Sequence, residues 1–184
     1  MASIPFASRY RMCDFILSSM VHSGIDNISI IVRKNYHSLL DHLGAGREWD
    51  LVRKNGGLNI VPPFAQKQVK VFEGRIEPQK YVIMTDANIA INFDFNELLD
   101  AHIKSGADVT MMYRKQEIPK AFIRQSRDRM DLYYALGMNG DRVSKIYINP
   151  TEEGEMNFSM NIYVVEREFL IHMIDDAYVH GHTY

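Results

Sequence analysis

The sequence predicts an α/β fold, a three-layer arrangement in which helices cover a mainly parallel sheet that also carries one antiparallel element. Three observations predict it. Short runs of β-branched and apolar residues alternate with segments of helical period. Asn139-Gly140 separates two such runs, and Asn-Gly suits the type I′ turn of a hairpin. The 184 residues are 46% hydrophobic and 24% charged, the composition of a soluble globular domain large enough for one core.

In chain order, Phe15, Ile16, Met20 and Val21 keep a helical period that Gly24 stops. Ile28–Val32 reads as a short buried strand. A second helix covers Tyr36–Leu43 and is closed by Gly44 and Gly46. Leu58–Val61 is a strand ended by Pro62 and Pro63, and Tyr81–Thr85 is another. Asp94 with Glu97 three residues on resembles a capping box, opening a helix through Ser105 that Gly106 ends. Phe95, Leu98, Leu99 and Ile103 supply its apolar face. Val109–Tyr113 is the next strand. Tyr133–Met138 and Val143–Ile148 form the hairpin, Met160–Val165 is a last strand, and a helix follows from Arg167 to about Ala177.

Charge and cysteine content narrow the class. Lys and Arg total 21 against 23 Asp and Glu, so the basic surplus that displaces counterions from nucleic acid is missing. The basic run from Arg114 to Arg129 reads as a solvated face rather than a phosphate site. A single cysteine, Cys13, excludes a disulfide framework and fits a reducing compartment. Arg9 and Arg11 stand where a signal peptide has its apolar run, and no stretch approaches the roughly 20 apolar residues of a membrane span. A cytoplasmic protein without a membrane or nucleic-acid partner is the expectation.

Ligands of such sheets bind beyond the carboxyl ends of the strands, which directs attention to the loops after Val32, Thr85 and Val165. Neither G-x-G-x-x-G nor G-x-x-x-x-G-K-[ST] occurs. Other residues carry a resemblance. Ser3-Ile4-Pro5-Phe6-Ala7-Ser8-Arg9-Tyr10-Arg11, Asp14-Phe15, Leu17-Ser18 and Ser23-Gly24-Ile25 are similar to the early segment of the ADP-glucose pyrophosphorylases, the glucose-1-phosphate adenylyltransferase family. So are His37-Ser38-Leu39, Asp41-His42-Leu43, Gly46, Glu48-Trp49-Asp50-Leu51, His102-Ile103 and Ser105-Gly106-Ala107-Asp108. Ser159-Met160-x-Ile162-Tyr163 resembles the family's S-M-G-x-Y. The resemblance covers nearly the whole chain. It implies a Rossmann-like nucleotidyltransferase domain over residues 1–184, without the family's N-terminal glycine loop and its C-terminal β-helix domain. Further residues are expected before Ala2 and between Glu77 and Tyr81, where the family has a helix.

The family joins ATP to glucose 1-phosphate, giving ADP-glucose and pyrophosphate, with a carboxylate holding Mg²⁺ at the triphosphate. The resemblance puts Asn88 at that carboxylate's position, taking Asp94-Phe95 as the family's later Asp-aromatic pair. Asp86 is the substitute metal ligand to weigh, since i and i+2 share a face in a strand, although two strand residues span roughly 6–7 Å. Asn149 stands where the family's lysine holds the sugar phosphate. Ser159 and Met160 keep the sugar segment, while Asn161 replaces its glycine. Losing the carboxylate and the lysine removes interactions that are strongest in the transition state.

This pattern resembles the non-catalytic, D-type subunit beside the active subunit in Firmicute-type glycogen operons. A regulatory, catalytically weak subunit within a hetero-oligomer is then the leading expectation, with a catalytic glucose-1-phosphate adenylyltransferase subunit as partner. ATP and glucose 1-phosphate are its candidate ligands. Two alternatives stand beside it: an active transferase that uses Asp86, and a scaffold that binds no nucleotide. Elsewhere, His180 and His182 offer at most a weak zinc pair against the plainer reading of an exposed tail. His37 and His42 miss the i, i+4 spacing of a helical metal pair. Cys13 reads as a buried small residue, and Trp49 as a packing anchor.

Overall fold

A single long strand organises the larger sheet. The computed structural model describes residues 4–6, 9–32, 36–53, 56–61, 79–117, 132–152 and 154–181. In order these form β1 (Pro5–Phe6), β2 (Tyr10–Arg11), α1 (Met12–His22), β3 (Asn27–Ile31) and α2 (His37–Leu43). A 3₁₀ turn at Arg47–Trp49 follows, then β4 (Gly57–Val61), β5 (Tyr81–Thr85), α3 (Phe95–Ser105) and β6 (Val109–Glu117). The hairpin is β7 (Tyr134–Asn139) and β8 (Arg142–Ile148), and β9 (Glu155–Glu166) and α4 (Arg167–Val179) complete the order. Pro62, Pro63, Glu77, most of the basic run and His182 lie outside the described residues.

β9 pairs antiparallel with β5, β6 and β7, and β8 continues the sheet beyond β7. β3 and β4 form a separate parallel pair, and β1 and β2 a small antiparallel one. The expected mixed α/β sheet is present, with one correction to its pairing. β5 and β6 point the same way, but β9 lies between them in the opposite sense, so most ladders among the described residues are antiparallel. Strand alternation along the chain reports direction well and adjacency poorly, because a late strand is free to insert between two earlier ones.

The core gathers α1, α3, β3 and β9. Cys13, Leu17, Phe95, Ile162 and Val164 are among its fully buried side chains. Each buried Leu, Ile or Phe side chain contributes about 1.5–3 kcal/mol by leaving water. α3 forms where expected and Gly106 closes it at φ 59°, but its start is a simple cap and not the expected box with Glu97: the Asp94 carboxylate accepts the Asn96 backbone N–H. The Ser23 hydroxyl accepts the Phe95 backbone N–H, tying this helix start to the end of α1. Its buried stripe differs in one place. His102 faces the sheet, with Nδ1 2.8 Å from the Thr110 hydroxyl, while Ile103 is 52% exposed. A hydrogen-bonded imidazole satisfies its polar atom inside, and this frees the isoleucine position to turn outward.

Candidate functional site

β5 ends at Thr85, and Asp86 to Asn88 leave the sheet as a turn. Asp86 and Asn88 both lie beyond the strand, so the i, i+2 alternation of a strand does not relate them. Beside them on β9, the register against β6 shifts between Met112 and Tyr113: Met112 faces Ile162, and Tyr113 faces Ser159. Met160 and Asn161 are the extra residues of this bulge, and Asn161 takes the left-handed conformation at φ 52°. Asparagine is among the few side chains that tolerate this region, which explains why it can stand where the resemblance expects glycine.

On the other side of β9, β5 pairs as far as Thr85 with Ile162, and β7 begins with Ala135 opposite Phe158. Residues 159–161 therefore lie where two neighbouring strands part, with Asp86 at the rim. The Asn161 amide donates to Asp86 Oδ2 at 2.9 Å. Asn161 Oδ1 accepts from the Tyr163 hydroxyl at 3.1 Å and from the Ser159 hydroxyl at 3.3 Å, and the Asn161 backbone N–H donates to Ser159 Oγ at 3.1 Å. Burial pushes the Tyr163 phenol above its ordinary value; the Ser159 bond opposes this and the Asp86 charge adds to it. The sequence reading passed over Tyr163 as a site residue, although positions 159, 161 and 163 alternate onto one strand face. Met160 turns instead onto the hydrophobic core.

Asn149 belongs to a different construction. It sits just after β8 at φ 48°, its side-chain oxygen accepts the Tyr133 backbone N–H, and its own N–H donates to the Tyr133 carbonyl, both at 2.9 Å. The Tyr133 hydroxyl donates to the Pro150 carbonyl at 2.8 Å, and its ring stacks on Phe158 at 5.5 Å. Asn149 thus closes the open end of the hairpin. A phosphate-holding cation at this position would have to forgo both the amide bond and the tolerated backbone.

The arrangement offers hydrogen bonds rather than charge. Ser159, Asn161 and Asp86 present hydroxyl, amide and carboxylate groups suited to the hydroxyls of a sugar or ribose. A Mg²⁺ site of the family's kind takes one or two carboxylates together with phosphate oxygens, and this cluster brings a single one. Asp86 is the carboxylate of this cluster, and one of its oxygens already accepts the Asn161 amide.

The sequence pattern of the nucleotidyl transferase family matches residues 2–180. The chain belongs to that family. Glycogen biosynthesis protein GlgD of Geobacillus stearothermophilus is 37% identical over 144 residues, covering 71% of this chain and 42% of that protein. GlgD of Bacillus subtilis (strain 168) is 33% identical over 152 residues, with coverage of 76% and 44%. Glucose-1-phosphate adenylyltransferase of Thermotoga neapolitana is 29% identical over 181 residues, with coverage of 91% and 41%. The chain spans less than half the length of these curated relatives. Among solved structures, HddC from Yersinia pseudotuberculosis shares the fold, with a TM-score of 0.64 at 9% identity over 91% of this chain and 67% of that one. The nucleotidyl transferase fold is thus shown by pattern and shape together.

Proposed function

We propose that this chain is the nucleotidyltransferase domain of a regulatory, catalytically weak subunit of glucose-1-phosphate adenylyltransferase, acting in glycogen biosynthesis in the cytoplasm beside a catalytic subunit. The observation that carries the reading is the set of three asparagines at the positions where the resemblance expects a metal carboxylate, a phosphate lysine and a glycine. Asn88 is exposed in the turn after β5, Asn149 is bound to Tyr133, and Asn161 holds Asp86. Asn88 and Asn149 are neutral where the resemblance expects the carboxylate that holds Mg²⁺ and a lysine, and phosphoryl transfer depends on positioned positive charge around the triphosphate. The similarity to two GlgD proteins supports a role in glycogen synthesis. In this reading ATP and glucose 1-phosphate are the ligand classes the fold would take, and the chain alone holds Mg²⁺ weakly.

Reinstating the charge tests the reading. In the full-length protein Asn88→Asp with Asn149→Lys is expected to raise pyrophosphate release above that of the parent, and Asn88→Asp alone to recover part of it. The lysine is the riskier change, because it removes the Tyr133 bond and puts a long side chain at φ 48°. Circular dichroism separates misfolding from inactivity. A folded double variant that stays inert while binding both ligands by calorimetry contradicts an eroded active site.

A further inference from the structure

Away from the cluster of Asp86, Ser159 and Asn161, three different metal-ligating side chains converge where α1 begins and α2 ends. Asp14 Oδ1 and Oδ2 lie 2.8 and 3.0 Å from His42 Nε2, and Cys13 Sγ lies 3.4 Å from Asp14 Oδ1. The three ligand atoms all fall within 4.8 Å of one another. Cys13 and Asp14 are buried at 1% and 8% exposure, whereas the His42 side chain keeps 20%, so the cluster opens to solvent along the imidazole edge. The Arg11 backbone N–H donates to Asp14 Oδ2 at 2.9 Å and fixes the carboxylate, while the Arg11 guanidinium donates to Ser38 Oγ instead.

We propose that Cys13 Sγ, the Asp14 carboxylate and His42 Nε2 form a three-ligand site for a divalent transition metal of the zinc class, with water as the fourth ligand. Zinc takes sulfur near 2.3 Å, and nitrogen and oxygen near about 2.0–2.2 Å, so adjacent ligands of a tetrahedral site sit roughly 3.3–3.8 Å apart. The Cys13–Asp14 separation already meets this, and the shorter His42–Asp14 contact lengthens when the metal replaces the proton between them. Binding is balanced by release of the Cys13 thiol proton to solvent and by exchange of the His42 Nε2 proton, through solvent, for one on Nδ1. His42 binds as the neutral tautomer that carries its proton on Nδ1. Burial and the Asp14 charge, which push the free thiol up to about 12, disfavour a lone thiolate here, but a divalent cation neutralises thiolate and carboxylate together. The site would clamp α1 to α2. It rests on none of the residues assigned to the proposed function.

The 184 residues hold one cysteine, and the Cys13→Ser control assigns a thiolate-to-metal signal to it. The freshly reduced full chain is titrated with Co²⁺, and its near-ultraviolet thiolate-to-cobalt charge-transfer band is followed. The expected result is a band that saturates at one metal per chain, disappears in Cys13→Ser and is displaced by Zn²⁺. His42→Gln, which leaves the thiol in place, is expected to lose or strongly weaken the band. No band at any excess of Co²⁺, or a His42→Gln variant that binds Co²⁺ as tightly as the parent, overturns the site.

Discussion

Asn161 shows how one side chain can satisfy a backbone demand and organise a polar cluster at once. Its left-handed backbone lets the bulge form, and its amide then ties Asp86 to Ser159 and Tyr163. Asn161→Ala keeps neither property and is expected to cost about 2–3 kcal/mol, from left-handed strain plus lost hydrogen bonds. Asn161→Gly keeps the backbone and frees the Asp86 carboxylate, so it should cost less than the alanine variant. Chemical denaturation of the two variants measures both. Gly57 makes a purely steric demand: at φ 80°, an added Cβ would stand 2.4 Å from the Leu51 carbonyl oxygen. Gly57→Ala is expected to destabilise by about 2–4 kcal/mol in the same measurement. Cys13, 1% exposed and with its thiol pushed up to about 12, should resist a thiol reagent in the native state and react once per chain after unfolding. That Asn161 stands where the resemblance expects glycine was legible in the sequence. That its amide then takes up Asp86 was not, because the contact joins residues on separate strands.

Elements were read most reliably where a local signal acts alone. The Asp94 cap and the Gly106 stop of α3 were both visible, since each depends only on the nearest turn. The buried stripe of that helix was read with Ile103 in place of His102, because hydropathy does not register a histidine satisfied by Thr110. The length of β9 was also missed: it runs from Glu155 rather than Met160, and its first residues, Glu155 to Asn157, carry no run of apolar side chains. The cap makes a pH prediction. The Asn96 backbone N–H holds the Asp94 carboxyl below its ordinary range. A depressed folded value means the contribution is present above the unfolded value of about 3.9 and is lost as pH falls through the folded one. Asp94→Asn retains a capping side chain without the ionisation. Melting temperatures of the two proteins should therefore run parallel above about pH 4 and converge or cross below it, as the parent alone loses its charged cap.

For the whole molecule, the mixed α/β class followed from alternating periodicities, whereas sheet order did not, because order is decided by long-range pairing. The placement of residues 159–161 between the end of β5 and the start of β7 depends on that order, and so does the polar cluster it creates. Family membership was legible in ordered motifs spread along nearly the whole chain, and the match over residues 2–180 agrees with them. Among the described residues no helix is long and apolar enough to cross a membrane. The near balance of 21 basic and 23 acidic side chains lacks the basic surplus that binding a polyanion calls for. The central claim is that this nucleotidyl transferase chain has kept the fold and given up the charges that drive the reaction. Pyrophosphate release from ATP and glucose 1-phosphate tests it most directly, with the full-length protein assayed alone and then mixed with its catalytic partner. The account predicts background release from the protein alone and a changed turnover or effector response of the partner in the mixture. Robust turnover by the protein alone would contradict it.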